Sequence, residues 1–305
     1  MNFLFKWINI PLGWVLEFLA GLVGGNFAAS VFLFTLFINV ALIPLSIKSQ
    51  KSSVQQLRIK PRLDELKKKY GDDKQRYSTE MQRVYQEENV SMSGGCLPLI
   101  LRMVLMLSIY WLIMQPLTYL LHIDAKAIAE AAKELGIATK ASGYELQLIE
   151  ALRNTDKFPE ITAELSRINF SFFGIDLTQT PKFSFDIFHK FQPIWLIPIL
   201  AFAAQMLTSV VSMRVQKKLN PDAPSMAGMM LTMPLISLFI GFTLPGGVGF
   251  YWICSSLIGG LITPVIQLAY GPNKMLAAER SKELSKRCEF EEKQLKKFDA
   301  TASEE

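Results

Sequence analysis

Five apolar blocks constrain what this chain can fold into more than any other feature. Phe27–Ile47, Leu97–Leu121, Ile194–Met213, Ala227–Leu244 and Val248–Tyr270 hold among them a single charged residue, Arg102. Each is close to the ~20 residues that a helix needs to cross ~30 Å of hydrocarbon. Composition agrees: half of the 305 residues are hydrophobic and 19% are charged, below the ~25% usual in soluble domains. The sequence therefore predicts an all-α membrane protein with spans at 27–47, 97–121, 194–213, 227–244 and 248–270.

The segments between the blocks set the topology. In 1–26, Pro11 interrupts an apolar run, and a helix from Leu12 to Val23 would cover only about 18 Å at 1.5 Å per residue. Gly13, Glu17, Ala20 and Gly24 form a small or polar stripe opposite Leu12, Val15, Leu16, Leu19 and Val23. This pattern predicts a helix lying in the membrane interface, with Trp7 and Trp14 at headgroup depth, and leaves a sixth span open as the alternative. The connection 48–95 carries eleven basic and seven acidic residues, and 214–226 carries three and one. The positive-inside rule then places 48–95, 214–226 and the 271–305 tail in the cytoplasm, with the N-terminus and the 122–193 loop outside.

Segment 48–95 reads as a cytoplasmic helical hairpin. Val54, Leu57, Leu66 and Tyr70 edge its first arm, which Pro61 should kink or break. Gly71 ends that arm, and Asp72 or Asp73 caps a second one carrying Tyr77, Met81, Val84 and Tyr85. In the outer loop, Ala125–Leu135 and Tyr144–Arg153 are helical in pattern, and an aromatic run follows at Asn169–Asp176. Pro245-Gly246-Gly247 predicts a tight turn between the last two spans, with proline fixing φ and glycine tolerating positive φ. The tail mixes both charges over 274–298, as a solvated helix does, and Ala300–Glu305 reads as disordered.

Several chemistries are excluded. The blocks contain no Asp, Glu, His or Lys, which removes the carboxylate relay of an ion-coupled pump. His122 and His189 lack Cys or carboxylate partners at metal-ligand spacing, so no metal site is expected. No glycine-rich phosphate loop is present and no cofactor is implied. Ser46 and Lys48 read as a span end with an interfacial lysine rather than a catalytic dyad. Cys96, Cys254 and Cys288 make no disulfide framework. The basic hairpin lacks an aromatic stacking platform for nucleic acid. Arg102 remains, seven residues beyond Gly95 and so about 10 Å deep along a helix. Facing a wet cavity, or snorkelling back to the cytoplasmic headgroups, would each satisfy it.

Pro44-Leu45-Ser46-Ile47-Lys48, Ile59-Lys60-Pro61, Lys69-Tyr70, Gly94-Gly95-Cys96-Leu97-Pro98 and Gly249-Phe250-Tyr251-Trp252 follow one another in the order of the YidC/Oxa membrane protein insertases. Phe173-Gly174-Ile175-Asp176-Leu177 and Met233-Pro234-Leu235 add to the resemblance, which covers nearly the whole chain. The chain resembles a bacterial member without the large extracytoplasmic domain of longer forms. The resemblance implies a five-span insertase core with an N-terminal interfacial helix, located in the cell membrane. It further implies a hydrophilic groove between the first, second and fifth spans, open to cytoplasm and lipid. A substrate's short polar segment would enter the groove while its apolar helix slides into lipid, with no covalent chemistry and hence no enzyme activity.

On that resemblance Thr35, Asn39, Arg102 and Trp252 are the groove residues. The family usually places a basic residue where Asn39 stands and commonly a glutamine where Arg102 stands, so the charge has changed helices. Ser91-Met92 replaces the Asn-Pro of many relatives. Implied partners are nascent membrane proteins and the lipid bilayer, with the ribosome and the Sec translocon as further candidates. Two other readings stay open: a structural assembly partner without insertion activity, and a passive channel or transporter.

Overall fold

In the computed structural model, residues 2–88, 90–91, 97–141, 143–155, 157–181, 192–219 and 227–302 are described. The chain is mostly helical and divides into two compact units. The first comprises Met1–Ile43, Leu99–Arg214 and Pro224–Ile262; the second comprises Pro44–Pro98, Val215–Ala223 and Thr263–Glu305.

The first unit begins with α1 (Asn2–Leu22) and α2 (Phe27–Ala41). Here the structure corrects the sequence reading, because Pro11 lies inside one continuous 21-residue helix. Proline's φ is helical, and its cost is a missing hydrogen bond and a crowded preceding turn. Tertiary packing offsets that cost: α1 buries Asn9, Gly13, Leu16 and Ala20 on one face. A Cβ at Gly13 would lie 2.2 Å from the Tyr119 carbonyl oxygen, so only glycine allows this approach. The opposite face exposes Trp7, Trp14, Phe18 and Leu22, as suits a helix whose solvent is lipid.

The second predicted span also divides. Helix α5 (Leu97–Met114) stops at Gln115, and Pro116 opens the short α6 (Pro116–Tyr119). Pro116 explains the break, since the residue before a proline is pushed out of the helical region. Beyond it come α7 (Ala125–Glu134), α8 (Tyr144–Leu152) and α9 (Pro159–Ser166), then an antiparallel pair, β1 (Ser171–Phe172) and β2 (Ile175–Asp176). These elements form a cap with a core of its own. Leu117, Ile128, Ala131, Ala132, Leu148, Ile149 and Leu152 are at most 1% exposed and join one cluster with Leu112, Ile113 and Phe27.

Two hydrogen-bonded seams fix the cap to the helices. Asn169 N–H donates to the Gly25 carbonyl at 2.8 Å, and Phe27 N–H donates to the Asn169 carbonyl at 3.0 Å. At the start of α12 (Gly246–Ala269), Gly246 N–H donates to the Gln179 carbonyl and Gly247 N–H to the Leu177 carbonyl, both at 2.8 Å. The cap thereby satisfies amides that a helix start leaves open. This changes the role of the glycine pair. Neither has positive φ; added Cβ atoms would sit 3.2 Å from Ile197 Cδ1 at Gly246 and 2.9 Å from Ile113 Cγ2 at Gly247. Space, rather than turn conformation, requires glycine there.

The remaining apolar helices are α10 (Leu196–Leu219), preceded by a 3₁₀ turn at Pro193–Trp195, and α11 (Ala227–Gly241). Small residues bring them and α12 together. A Cβ at Gly260 would meet Thr208 Cγ2 at 2.2 Å, and one at Gly241 would meet Pro198 Cβ at 2.9 Å. Ser237 of α11 donates to Gln205 Oε1 of α10 at 2.8 Å. Close small-residue contacts and interhelical hydrogen bonds are how helices associate where lipid removes the hydrophobic drive. Among the described residues, Pro193–Lys218 and Gly246–Ala269 are long and apolar enough to cross a membrane. Phe27–Ala41 with Ile43–Gln56 qualifies as a third, bent span, and Met103–Met114 and Met230–Gly241 are shorter apolar helices.

The second unit contains α3 (Ile43–Tyr70) and α4 (Lys74–Glu87), joined by a three-residue turn. Helix α3 passes through the predicted boundary at 47, and Pro61 neither breaks it nor ends it. Asp73 caps α4 by accepting from Arg76 N–H at 3.0 Å. The seam is Ile59, Val84 and Val90, flanked by Leu63, Leu66 and Tyr85. Lys51 lies over the Tyr270 ring, 5.7 Å from its centroid. The tail is one helix, α13 (Pro272–Ala302), running past the expected end at 298. The Gly94-Gly95-Cys96 motif and Ser91-Met92's second residue lie outside the described residues.

Candidate functional site

Two of the four expected groove residues stand one turn apart on α2. Asn26 starts this helix by accepting from Ala29 N–H at 3.0 Å. The helix then buries Phe27, Ala28, Val31 and Phe34 and exposes Phe32, Leu36, Phe37 and Val40. Thr35 falls on the buried face, 1% exposed, and its hydroxyl donates to the Val31 carbonyl at 2.6 Å. Asn39 is half-buried, and its Nδ2 donates to the Thr35 carbonyl at 2.8 Å. Both polar groups are therefore satisfied within α2, so an apolar environment does not leave them unpaired. Thr35 could line water only if α2 drew away from its neighbours.

Trp252 lies in the second turn of α12, half-buried against the main core. The neighbouring Gly249 permits that helix to approach α10: a Cβ there would be 2.6 Å from Ile197 Cγ2. Arg102 belongs to α5, and its side chain lies outside the described residues. The structure thus joins Thr35 to Asn39 and places Arg102 and Trp252 on two further helices.

Sequence reasoning passed over the most buried charge-bearing side chain of the cap. Glu145 is 0% exposed and accepts from Thr118 N–H at 3.1 Å and from Thr118 Oγ1 at 2.6 Å. Burial pushes its carboxyl above the ordinary range, and the Thr118 and Tyr144 hydrogen bonds only partly oppose this. The Tyr144 hydroxyl beside it is pushed up to about 12, by burial first and then by Glu145. The signal was available: Leu148, Ile149 and Leu152 follow Glu145 at i+3, i+4 and i+7, so it belongs to the apolar face of α8. Asp176 behaves oppositely. Burial raises it, but hydrogen bonds from Thr178 and the paired Arg153 outweigh burial and hold it below the ordinary carboxylate range.

Comparison with known proteins decides the family. The family described as the 60Kd inner membrane protein matches residues 18–272. The chain belongs to this family. The membrane protein insertase YidC 2 of Listeria innocua is 28% identical over 295 residues, covering 95% of this chain and 79% of that protein. YidC of Dechloromonas aromatica is 27% identical over 259 residues, 83% of this chain but 35% of that longer protein. YidC of Pseudoalteromonas atlantica is 31% identical over 173 residues, 55% of this chain and 32% of that protein. The chain thus spans about a third of some relatives and most of another. Membership and the apolar helices together make it a multi-pass protein of the cell membrane.

Proposed function

We propose that this protein is a membrane protein insertase and chaperone. It moves short polar segments of nascent membrane proteins through a hydrophilic groove while their apolar helices enter lipid. The observation that carries the reading is the family match across 18–272, which takes in every apolar block. The similarity to the Listeria insertase, over most of both chains, supports it further.

Physically, a wet concavity shortens the low-dielectric path that a polar segment must cross, lowering its desolvation cost. Partition of the substrate's apolar helix into lipid supplies the drive, so no bond is made or broken. In this proposal the five blocks are the spans, the N-terminus and cap lie outside, and the α3–α4 hairpin and tail lie in the cytoplasm. Asn39, Arg102 and Trp252 face the groove, Thr35 joins them when α2 draws away from its neighbours, and Arg102 holds the charge that relatives keep on the first span. The hairpin's basic surface would meet the ribosome or a substrate, and the Sec translocon is a further partner.

The closed, self-bonded state of Thr35 and Asn39 favours one other reading, an assembly partner whose polar residues serve packing. Complementation separates the two. In cells depleted of their own insertase, the wild-type chain should restore membrane arrival of a single-span substrate. Arg102→Ala should impair that arrival at equal expression, and adding Asn39→Arg should recover much of it. No rescue by the wild-type chain would favour the assembly role.

A further inference from the structure

Phe173 is 92% exposed, at the tip of the β1–β2 hairpin. The pairing Phe172↔Ile175 leaves a two-residue loop, Phe173-Gly174, with φ of +47° and +78°. Loops of this kind favour Asn, Asp or Gly, and positive φ is unusual for a bulky side chain. Turn geometry therefore does not account for phenylalanine here, and among the described residues its ring contact with Phe172 leaves it bare. A ring this bare is free to meet something outside the chain.

The route from the tip to the core indicates what that is. Phe173 meets Phe172 edge-on with centroids 4.7 Å apart, and Phe172 lies 4.7 Å from Phe250 on the first turns of α12. Phe250, Leu257 and Leu261 are separated by seven and four residues, which places them within about 40° of one another on one helical face. Further along the helix that face is bare, with Leu257 44% and Leu261 73% exposed; on a spanning helix such a stripe is solvated by lipid. Phe250 and Cys254 are buried in the core and the face opens to lipid from Leu257 onward, so the β-hairpin packs on α12 at the core end of that face, with its tip beyond.

We propose that Phe173 anchors the cap in the membrane, its ring seated at the headgroup–acyl boundary of the leaflet on the cap side. Phenylalanine on interfacial segments is buried to this depth, with Trp and Leu, when the backbone carrying it stays at the polar level. Ser171 and the Arg153–Asp176 pair at the hairpin base are the polar groups that would remain at the wet level. Lipid fits better than a protein partner, because a single projecting ring offers far less area than the ~800 Å² per side of a stable interface.

The test uses the full chain in vesicles of phosphatidylethanolamine and phosphatidylglycerol. Cys96→Ala and Cys288→Ala leave the buried Cys254 as the one native thiol. Phe173→Cys then carries an environment-sensitive fluorophore, with Lys140→Cys, an exposed cap position, as the aqueous reference. At 173 we expect blue-shifted emission, quenching by lipids bearing a nitroxide near the headgroup, and at least threefold weaker quenching by iodide than at 140. Emission and iodide quenching matching position 140, with no quenching by the labelled lipids, would overturn the proposal.

Discussion

The cap and the α3–α4 hairpin both interrupt apolar sequence with charged segments, yet only the cap builds a large core. Its helices place Ile128, Ala131, Leu148, Ile149 and Leu152 on faces that converge with Leu112 and Leu117. The hairpin has Ile59, Val84 and Val90 at its seam, and ion pairs such as Arg62–Glu88 along an exposed edge. Charge content therefore does not decide which loop becomes a domain. Convergence of apolar faces does, and local stability should follow it. Amide exchange should be slower in α7–α9 than in α3–α4, and equal protection in the two regions would remove the distinction.

The largest effect should come from the seam that ties the cap down. Gly25 has φ of +78°, and an added Cβ would lie 1.9 Å from the Arg167 carbonyl oxygen. Gly25→Ala should cost about 4 kcal/mol, at the upper end for single changes. Limited proteolysis should then open the cap while leaving the hairpin's digestion unchanged. The complementary change, Ile59→Ala, removes the most buried side chain of the hairpin seam and should cost about 3 kcal/mol. Exchange should accelerate in α3 and α4 alone; acceleration in the cap as well would contradict independent cores.

Smaller effects sharpen the electrostatic side. Glu145→Ala leaves the Thr118 amide without its buried acceptor and should cost about 2 kcal/mol in cap stability. The pH dependence follows from the raised carboxyl. Glu145 is protonated more readily in the folded cap than in the unfolded chain, so its contribution is fully present below about pH 4.5, the unfolded value. It is lost as pH rises through the folded value. Asp176 has the reverse sign: its contribution is present above its unfolded value and fades as pH falls through the lower folded one. Glu145→Gln should remove the first slope and keep the second, as thermal melts against pH would record. At the hairpin edge, Arg62→Ala should cost below about 1 kcal/mol, as exposed pairs do. A larger loss in the melt would mean that the pair belongs to the seam.

How much of this was legible in the sequence follows the same division. Apolar blocks, the Asp73 cap and the helices of 125–153 were readable because each depends on neighbours within a turn or two. Pro11 and Pro61 misled, since tertiary packing can hold a helix through a proline that would break it in isolation. Pro116 went unread inside its apolar block although it stops α5. The glycines at 246 and 247 pointed to the right place for the wrong reason: their need for space arises from Leu177, Ile197 and Ile113, far away in the chain. The expected groove residues rest on family resemblance alone, because the side chains of Thr35 and Asn39 bond within their own helix and carry no pattern distinct from ordinary span polarity.

The seam between Gly25–Phe27 and Asn169 also bears on the order in which the molecule can be made. The turn between the first two helices receives its partner strand only when Asn169 arrives, about 140 residues later. At ~5–20 residues per second of synthesis, that is a wait of roughly 7–30 s. During it, the turn connecting α1 and α2 lacks these backbone contacts. The turn that the cap ties down is thus among the first parts of this chain to be synthesised and among the later ones to be fixed.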